Sequence, residues 1–375
     1  MHSLTERQLE LHSKGLNHVE LLGKRPTKPQ KARQTTVTSA INSYRAKARR
    51  LAIFNHKGGV GKTTLTFNVA AAIAALGKKT LLVDSDPQCN LTSYLIEDRV
   101  VDDLLDESDT ESGQTVWSAL RPLAEATGGV RAIRPIETNA QNVFLLPGDI
   151  QLSEFEAELN QFWGECYQRK AKGFRGTAGL SVLINQIAKK LDIDFVFYDT
   201  GPNIGALNRD ILLDCDYFVV PVACDLFSVR ALKTLGRTLA GWIQEWRTIV
   251  SLAPADTYLL PGLPKFAGYI PQNFRVYAGR PTAVHSKYLS RIDRRIQSDI
   301  IAVLNKVDPS LASITASESK LGQIQDFASL APASQRDGLP LWQATGCSPE
   351  LCRVAKGEFM SIAKKIVNRT SKNAV

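Results

Sequence analysis

No uninterrupted apolar stretch in the sequence approaches the roughly 20 residues that a bilayer span requires, so a membrane-spanning helix is excluded. Cysteine is sparse: Cys89, Cys166, Cys215, Cys224, Cys347 and Cys352 lie scattered, without the close spacing of a zinc or iron–sulfur centre. They are expected to be reduced thiols of a cytoplasmic protein. The first residues, Met1 to Arg7, lack the apolar core of a secretory signal. No internal repeat and no long Pro- or Ser-rich linker interrupts the chain, so 375 residues are expected to build one large core with appendages. Acidic residues are scarce at the start. Residues 1–50 carry eleven Lys or Arg against three Glu, which supplies +8 of a net charge of +9. This basic block, helical or partly disordered, reads either as a module that meets an acidic partner, nucleic acid foremost, or as a solvated leader. Its apolar residues have helical spacing over 4–22 and again over 38–50, with a Pro/Lys/Arg linker at 24–34 between them. The domain that follows is expected over 51–375.

What the chain does have is a run of glycines between a strand and a helix. Leu51 to Phe54 is a short apolar run, suited to a buried strand. Lys57-Gly58-Gly59-Val60-Gly61-Lys62-Thr63-Thr64 follows, and Leu65 to Leu76 then reads as a helix that stops at Gly77. The glycines let the backbone turn with its N–H groups inward, where they cradle phosphate oxygens. Lys62 supplies charge to the β- and γ-phosphates of ATP, and the Thr63 hydroxyl is suited to Mg²⁺. The helix N-terminus faces the same anion.

Two further strands end in carboxylates. Thr80 to Asp84 leads into Asp84-Ser85-Asp86-Pro87-Gln88-Cys89-Asn90, and Asp86 lies 24 residues after Lys62, enough for one helix and a return strand. Phe195 to Tyr198 is capped by Asp199-Thr200-Gly201-Pro202. Apolar strands are expected at 51–55, 80–84, 143–146, 195–198, 217–222 and 266–270, alternating with helical patterns. That order predicts an α/β fold, a mainly parallel doubly wound sheet flanked by helices. Residues 168–179, with Arg169, Lys170, Lys172 and Arg175, are expected to form a mobile loop.

The two-lysine loop, Lys57 and Lys62 in KGGVGKTT, resembles the ParA/Soj/MinD family of deviant Walker A ATPases, the SIMIBI type of P-loop NTPase. The DSDPQCN run resembles the family's second motif, and the resemblance extends over roughly 50–368. It implies an ATPase, Mg²⁺-dependent and slow without a partner, with Lys57, Lys62, Asp86 and Asp199 as catalytic residues. Lys57 would reach the ATP of a second subunit, and Asp86 would orient the attacking water. Thr63, Asp84 and Asp199 would hold Mg²⁺ directly or through water. ATP would lie on Lys57, Gly58, Gly59, Val60, Gly61, Lys62, Thr63 and Thr64, with Pro271 and Asn273 at the adenine edge. The chain departs from the family in having Gly201 where a proline is usual, implying a freer loop. It also has Ala223 and Asp225 where Gln and Glu are common.

The resemblance further implies an ATP-bound homodimer, non-specific DNA binding, a ParB-like partner protein and a cytoplasmic, nucleoid-associated location. Arg275, Arg280, Lys287, Arg291, Arg294 and Arg295 form a candidate DNA surface, or a solvated helical face interrupted by Asp293 and Asp299. The alternative is a MinD-like positioning module that acts on a protein or membrane partner without DNA. The pattern of Val354, Phe359, Ile362 and Ile366 fits a packed terminal helix with fewer assumptions than membrane insertion.

Overall fold

The computed structural model describes residues 45–274, 276–277, 280–281, 283–327 and 329–371; the side chains of 273–285 and 316 are not described. The expected helical pattern at 4–22 and the linker at 24–34 lie outside these residues. Ten strands are described: β1 (Arg49–Ile53), β2 (Thr80–Asp84), β3 (Ile136–Glu137), β4 (Val143–Leu146), β5 (Phe195–Asp199), β6 (Tyr217–Ala223), β7 (Lys265–Phe274), β8 (Val276–Tyr277), β9 (Arg280–Pro281) and β10 (Ile324–Gln325). Eight of them form one sheet in the order β10-β7-β6-β1-β5-β2-β4-β3, and β8 pairs with β9 separately. Within the large sheet β3–β4 is antiparallel and the other pairs are parallel. The principal helices are α1 (Lys62–Ala74), α2 (Asn90–Leu95), α3 (Leu152–Tyr167), α4 (Gly179–Leu191), α5 (Ala206–Asp214), α6 (Leu226–Val250), α7 (Ala283–Arg295) and α8 (Pro349–Ser371).

The central strands are buried on both faces, which is why they read as continuous apolar runs rather than alternating ones. Helix α1 is enclosed almost all round: Leu65, Phe67, Val69, Ala70, Ala72 and Ile73 are each fully buried. Its alanines let α8 approach closely, and Ala355, Phe359, Ile362, Ala363 and Ile366 of α8 share its core. The terminal apolar pattern is thus a packed helix, and among the described residues no helix is long and apolar enough to cross a membrane.

Four expectations are corrected. The helical pattern expected up to residue 50 gives way to strand, because Arg49 and Arg50 pair with Phe195 and Val196. Arg50 is fully buried, with Nη1 donating to Asp214 Oδ1 (2.6 Å) and Ser181 Oγ (2.8 Å), and Nη2 donating to Asn185 (2.6 Å). The segment 168–179 is not an open loop. Residues Ala171–Thr177 form a helix that seats Phe174 fully in the core, and Gly176 lies so close to Phe162 that a β-carbon there would collide with the ring. Cys347 and Cys352 are joined in a disulfide, since the turn into α8 brings their Cα atoms to 5.9 Å; the other four cysteines are buried thiols. Finally, β7 runs on through Phe274 instead of ending at 270, because its far half pairs with both β6 and β10.

Candidate nucleotide site

The phosphate loop follows β1 at the centre of the sheet, where chain order reverses and the strands' C-terminal ends open a crevice. Gly59 (φ 69°) and Gly61 (φ 74°) take left-handed conformations that L side chains adopt only with strain. Asn55 anchors the entry: its Nδ2 donates to Pro221 O (2.8 Å) and its Oδ1 accepts from Lys57 N (3.0 Å). Sequence reading missed this residue, although an Asn ahead of a glycine turn is a recognisable loop-stabilising signal. Lys62 opens α1 and is only 8% exposed; burial pulls its pKa down, against the nearby Asp199 and Asp86 carboxylates.

Register brings the acids together. Asp199 at the end of β5 stands opposite both Ile53 and Asp84. Its Oδ2 accepts from Thr63 Oγ1 (2.8 Å) and its Oδ1 from Thr66 Oγ1 (3.3 Å). Burial, and then the Asp84 charge, push Asp199 up to about 7 despite the Thr63 hydrogen bond. A half-buried hydroxyl against a buried carboxylate, beside a lysine and with the acid's charge unfavourable, is a donor set that fits a hard divalent cation. Asp84 is also fully buried and pushed up to about 6 by burial, but its Oδ2 accepts from Thr92 N (2.8 Å) and Thr92 Oγ1 (2.6 Å). It thereby fixes the start of α2, with Thr92 Oγ1 also accepting from Gly148 N (2.8 Å).

Asp86 is 6% exposed and faces the loop after β5, where a β-carbon at Gly201 would come within 3.3 Å of Asp86 Oδ1. The glycine therefore permits a close approach. It does not leave the loop free, since Asn208 Nδ2 donates to Gly201 O (3.0 Å) and Asn203 Oδ1 (2.7 Å).

Lys57 turns toward its own chain. Its Nζ donates to Asp225 Oδ2 (2.6 Å) and Ser228 Oγ (2.9 Å). Asp225 caps α6 through Ser228 N (2.9 Å). Burial would raise the Asp225 pKa, but hydrogen bonds from Lys57 and Ser228 outweigh it and hold the acid low. Pro271 and Asn273 both lie on β7, and the side chain of the residue between them, Gln272, reaches Gly61. The Asn273 side chain lies outside the described residues.

A family model described as an AAA domain matches residues 48–252, more than half of the chain. The Bacillus subtilis sporulation initiation inhibitor protein Soj is 32% identical over 189 residues, which is 50% of this chain and 64% of Soj. The Caulobacter vibrioides chromosome partitioning protein ParA is 29% identical over 191 residues, 51% of this chain and 62% of that protein. The match thus spans less than two thirds of these curated relatives. Among solved structures, a Corynebacterium diphtheriae protein superposes with a TM-score of 0.66 at 25% identity, covering 87% of this chain and 99% of that one. An ATP complex of a McdA variant from Cyanothece shares the fold, with a TM-score of 0.55 at 16% identity, covering 87% of this chain and 97% of that one. Phosphate loop, parallel sheet, domain match and relatives agree: the chain belongs to the ParA/Soj family of AAA-domain proteins.

Proposed function

We propose that this chain is a ParA-type, Mg²⁺-dependent ATPase that dimerises on ATP, binds DNA non-specifically and drives DNA partition with a ParB-like partner. The observation that carries the reading is the Thr63–Asp199 hydrogen bond of 2.8 Å at the mouth of a two-lysine phosphate loop. In this reading Lys62 and the backbone N–H groups of Gly58 to Thr64 hold the triphosphate. Thr63 and Asp199 would hold Mg²⁺, directly or through water, with Asp84 behind them. Bound there, the ion neutralises charge on the transferring phosphoryl group. Asp86 orients the attacking water, and Pro271 and Asn273 border the adenine.

Dimerisation follows from Lys57. In the single chain its ammonium is paired to Asp225, with the two side chains 30% and 38% exposed. Pairs this exposed contribute about 0–1 kcal/mol, so a partner's triphosphate can displace Asp225. Phe227, 70% exposed, stands two residues beyond Asp225, and Ile204, 43% exposed, lies two beyond Pro202, beside Gly58. These exposed apolar groups lie close in sequence to residues that touch the loop and support a reading in which this face meets a second copy.

The DNA reading rests on α7. Arg291, Arg294, Arg295 and Ser298 line a hollow of about 390 Å³. The acids that interrupt this run are partly engaged: Asp293 accepts from the Tyr269 hydroxyl, and Asp299 from Arg295 (3.2 Å). Arg275 and Arg280 have side chains outside the described residues. A cytoplasmic, nucleoid-associated location accompanies this reading, as does a separate basic extension ahead of the ATPase domain.

Retention of the full chain on non-specific DNA, titrated with salt, with and without ATP, tests the proposal. Retention at low salt that requires ATP is the expected result. Absence of ATP-dependent retention overturns the partition reading and leaves the positioning module without DNA.

A further inference from the structure

Among the described side chains of the β7 terminus, that of Gln272 reaches the phosphate loop. It is 4% exposed, and a β-carbon on Gly61 would stand 2.8 Å from its Oε1 and 3.6 Å from its Nε2. It gets there across β6. The register sets Gln272 beside Ala223 at the end of β6. Its Nε2 is buried and, among the described residues, has no hydrogen-bond partner. Most buried donors are paired, and leaving one unpaired costs about 1–3 kcal/mol. Its register neighbours, Ile324 on β10 and Ala223 on β6, carry apolar side chains. A donor held without a partner against a loop built for oxyanions points to a ligand oxygen as its acceptor.

We infer that Gln272 is a positioning residue of the nucleotide site, its carboxamide N–H donating to an oxygen of the bound nucleotide once the loop opens around Gly61. The inference rests on the phosphate loop's holding ATP. It assigns a polar contact beside the phosphate loop to the middle residue of Pro271-Gln272-Asn273, where the family resemblance implies an adenine edge at the outer two. The bound nucleotide thereby satisfies the buried donor of Gln272.

Gln272→Met keeps length and bulk and removes the donor. Affinity of the full chain for a fluorescent ATP analogue and the melting temperature without nucleotide are measured for the wild type, Gln272→Met and Gln272→Ala. The expected result for Gln272→Met is a 5- to 20-fold loss of affinity with a melting temperature equal to or above that of the wild type. A purely structural role gives the reverse, a lower melting temperature with unchanged affinity, and overturns the inference. If Gln272→Ala falls in stability through its cavity, Gln272→Met still separates the two. Wild-type protein that binds no ATP overturns the nucleotide reading and this inference with it; wild-type binding with unaltered Gln272→Met affinity overturns this inference alone.

Discussion

At the scale of single residues, the same side chain can answer to two partners. Lys57 donates to Asp225 at 2.6 Å, and Asp225 in turn caps α6. Asp225→Asn retains a good capping group and removes the carboxylate charge, so thermal stability is expected to change by only a few tenths of a kcal/mol. The freed Lys57 is expected to lower several-fold the protein concentration at which dimers form with a non-hydrolysable ATP analogue, read by analytical ultracentrifugation. Lys57→Ala is expected to keep nucleotide binding while losing dimers and turnover, and Lys62→Ala to abolish binding. For Asp86, substitution by Ala is expected to slow hydrolysis by tenfold or more and to accumulate an ATP-bound dimer on size exclusion. Normal turnover in that variant would remove Asp86 from the water-orienting role.

At the scale of elements, α8 shows how burial converts a charge into a pH-dependent weakness. Glu358 faces the edge strand, where its Oε2 accepts from Gln325 N at 3.3 Å, and burial pushes its pKa up to about 7 against an ordinary 4.5. Between those two values the folded chain binds the proton that the unfolded chain has released. The Glu358 contribution therefore lowers stability progressively as pH rises from about 4.5 to 7, and the loss is complete above. Glu358→Gln is expected to raise stability at pH 8 by about 1–2 kcal/mol, allowing for the group's partial exposure, with no gain below pH 4.5. Chemical denaturation at the two pH values measures this. Elements also mark where sequence patterns stop being legible. The strands β2, β4, β5 and β6 were readable because both faces are covered, leaving unbroken apolar runs. The two-residue strands β3 and β10 left no such trace, being too short to show a period. The helix over Ala171–Thr177 was hidden because its basic residues suggested solvent, while Phe174 and two glycines fitted it onto α3.

At the scale of the whole molecule, the charge map differs from the one composition suggests. Arg45 pairs with Asp216 at 2.8 Å and Arg50 with Asp214, so part of the basic excess at the start of the chain is neutralised inside the domain. The cations of α7 line an accessible hollow and are candidates for DNA phosphate. Replacing Arg291, Arg294 and Arg295 together by Ala is expected to weaken ATP-dependent DNA retention uniformly across sequences. The slope of log affinity against log salt is expected to fall by about 2–3, since each phosphate contact contributes roughly 0.9. ATPase activity without DNA is expected to persist, and a slope unchanged by the triple substitution would remove α7 from the interface.

The sequence alone determined the loop, the places of the six longer strands along the chain and which carboxylates end two of them. Each of these depends on local chemistry: glycine's backbone freedom, apolar runs, and the spacing of one crossover. Only the tertiary structure decided which groups meet. Strand register set Asp199 opposite Asp84, the β7 terminus brought the Gln272 side chain to Gly61, and the cap of α6 brought Asp225 to Lys57. Such pairings join residues far apart in the chain, and no local pattern encodes the side-chain paths between them.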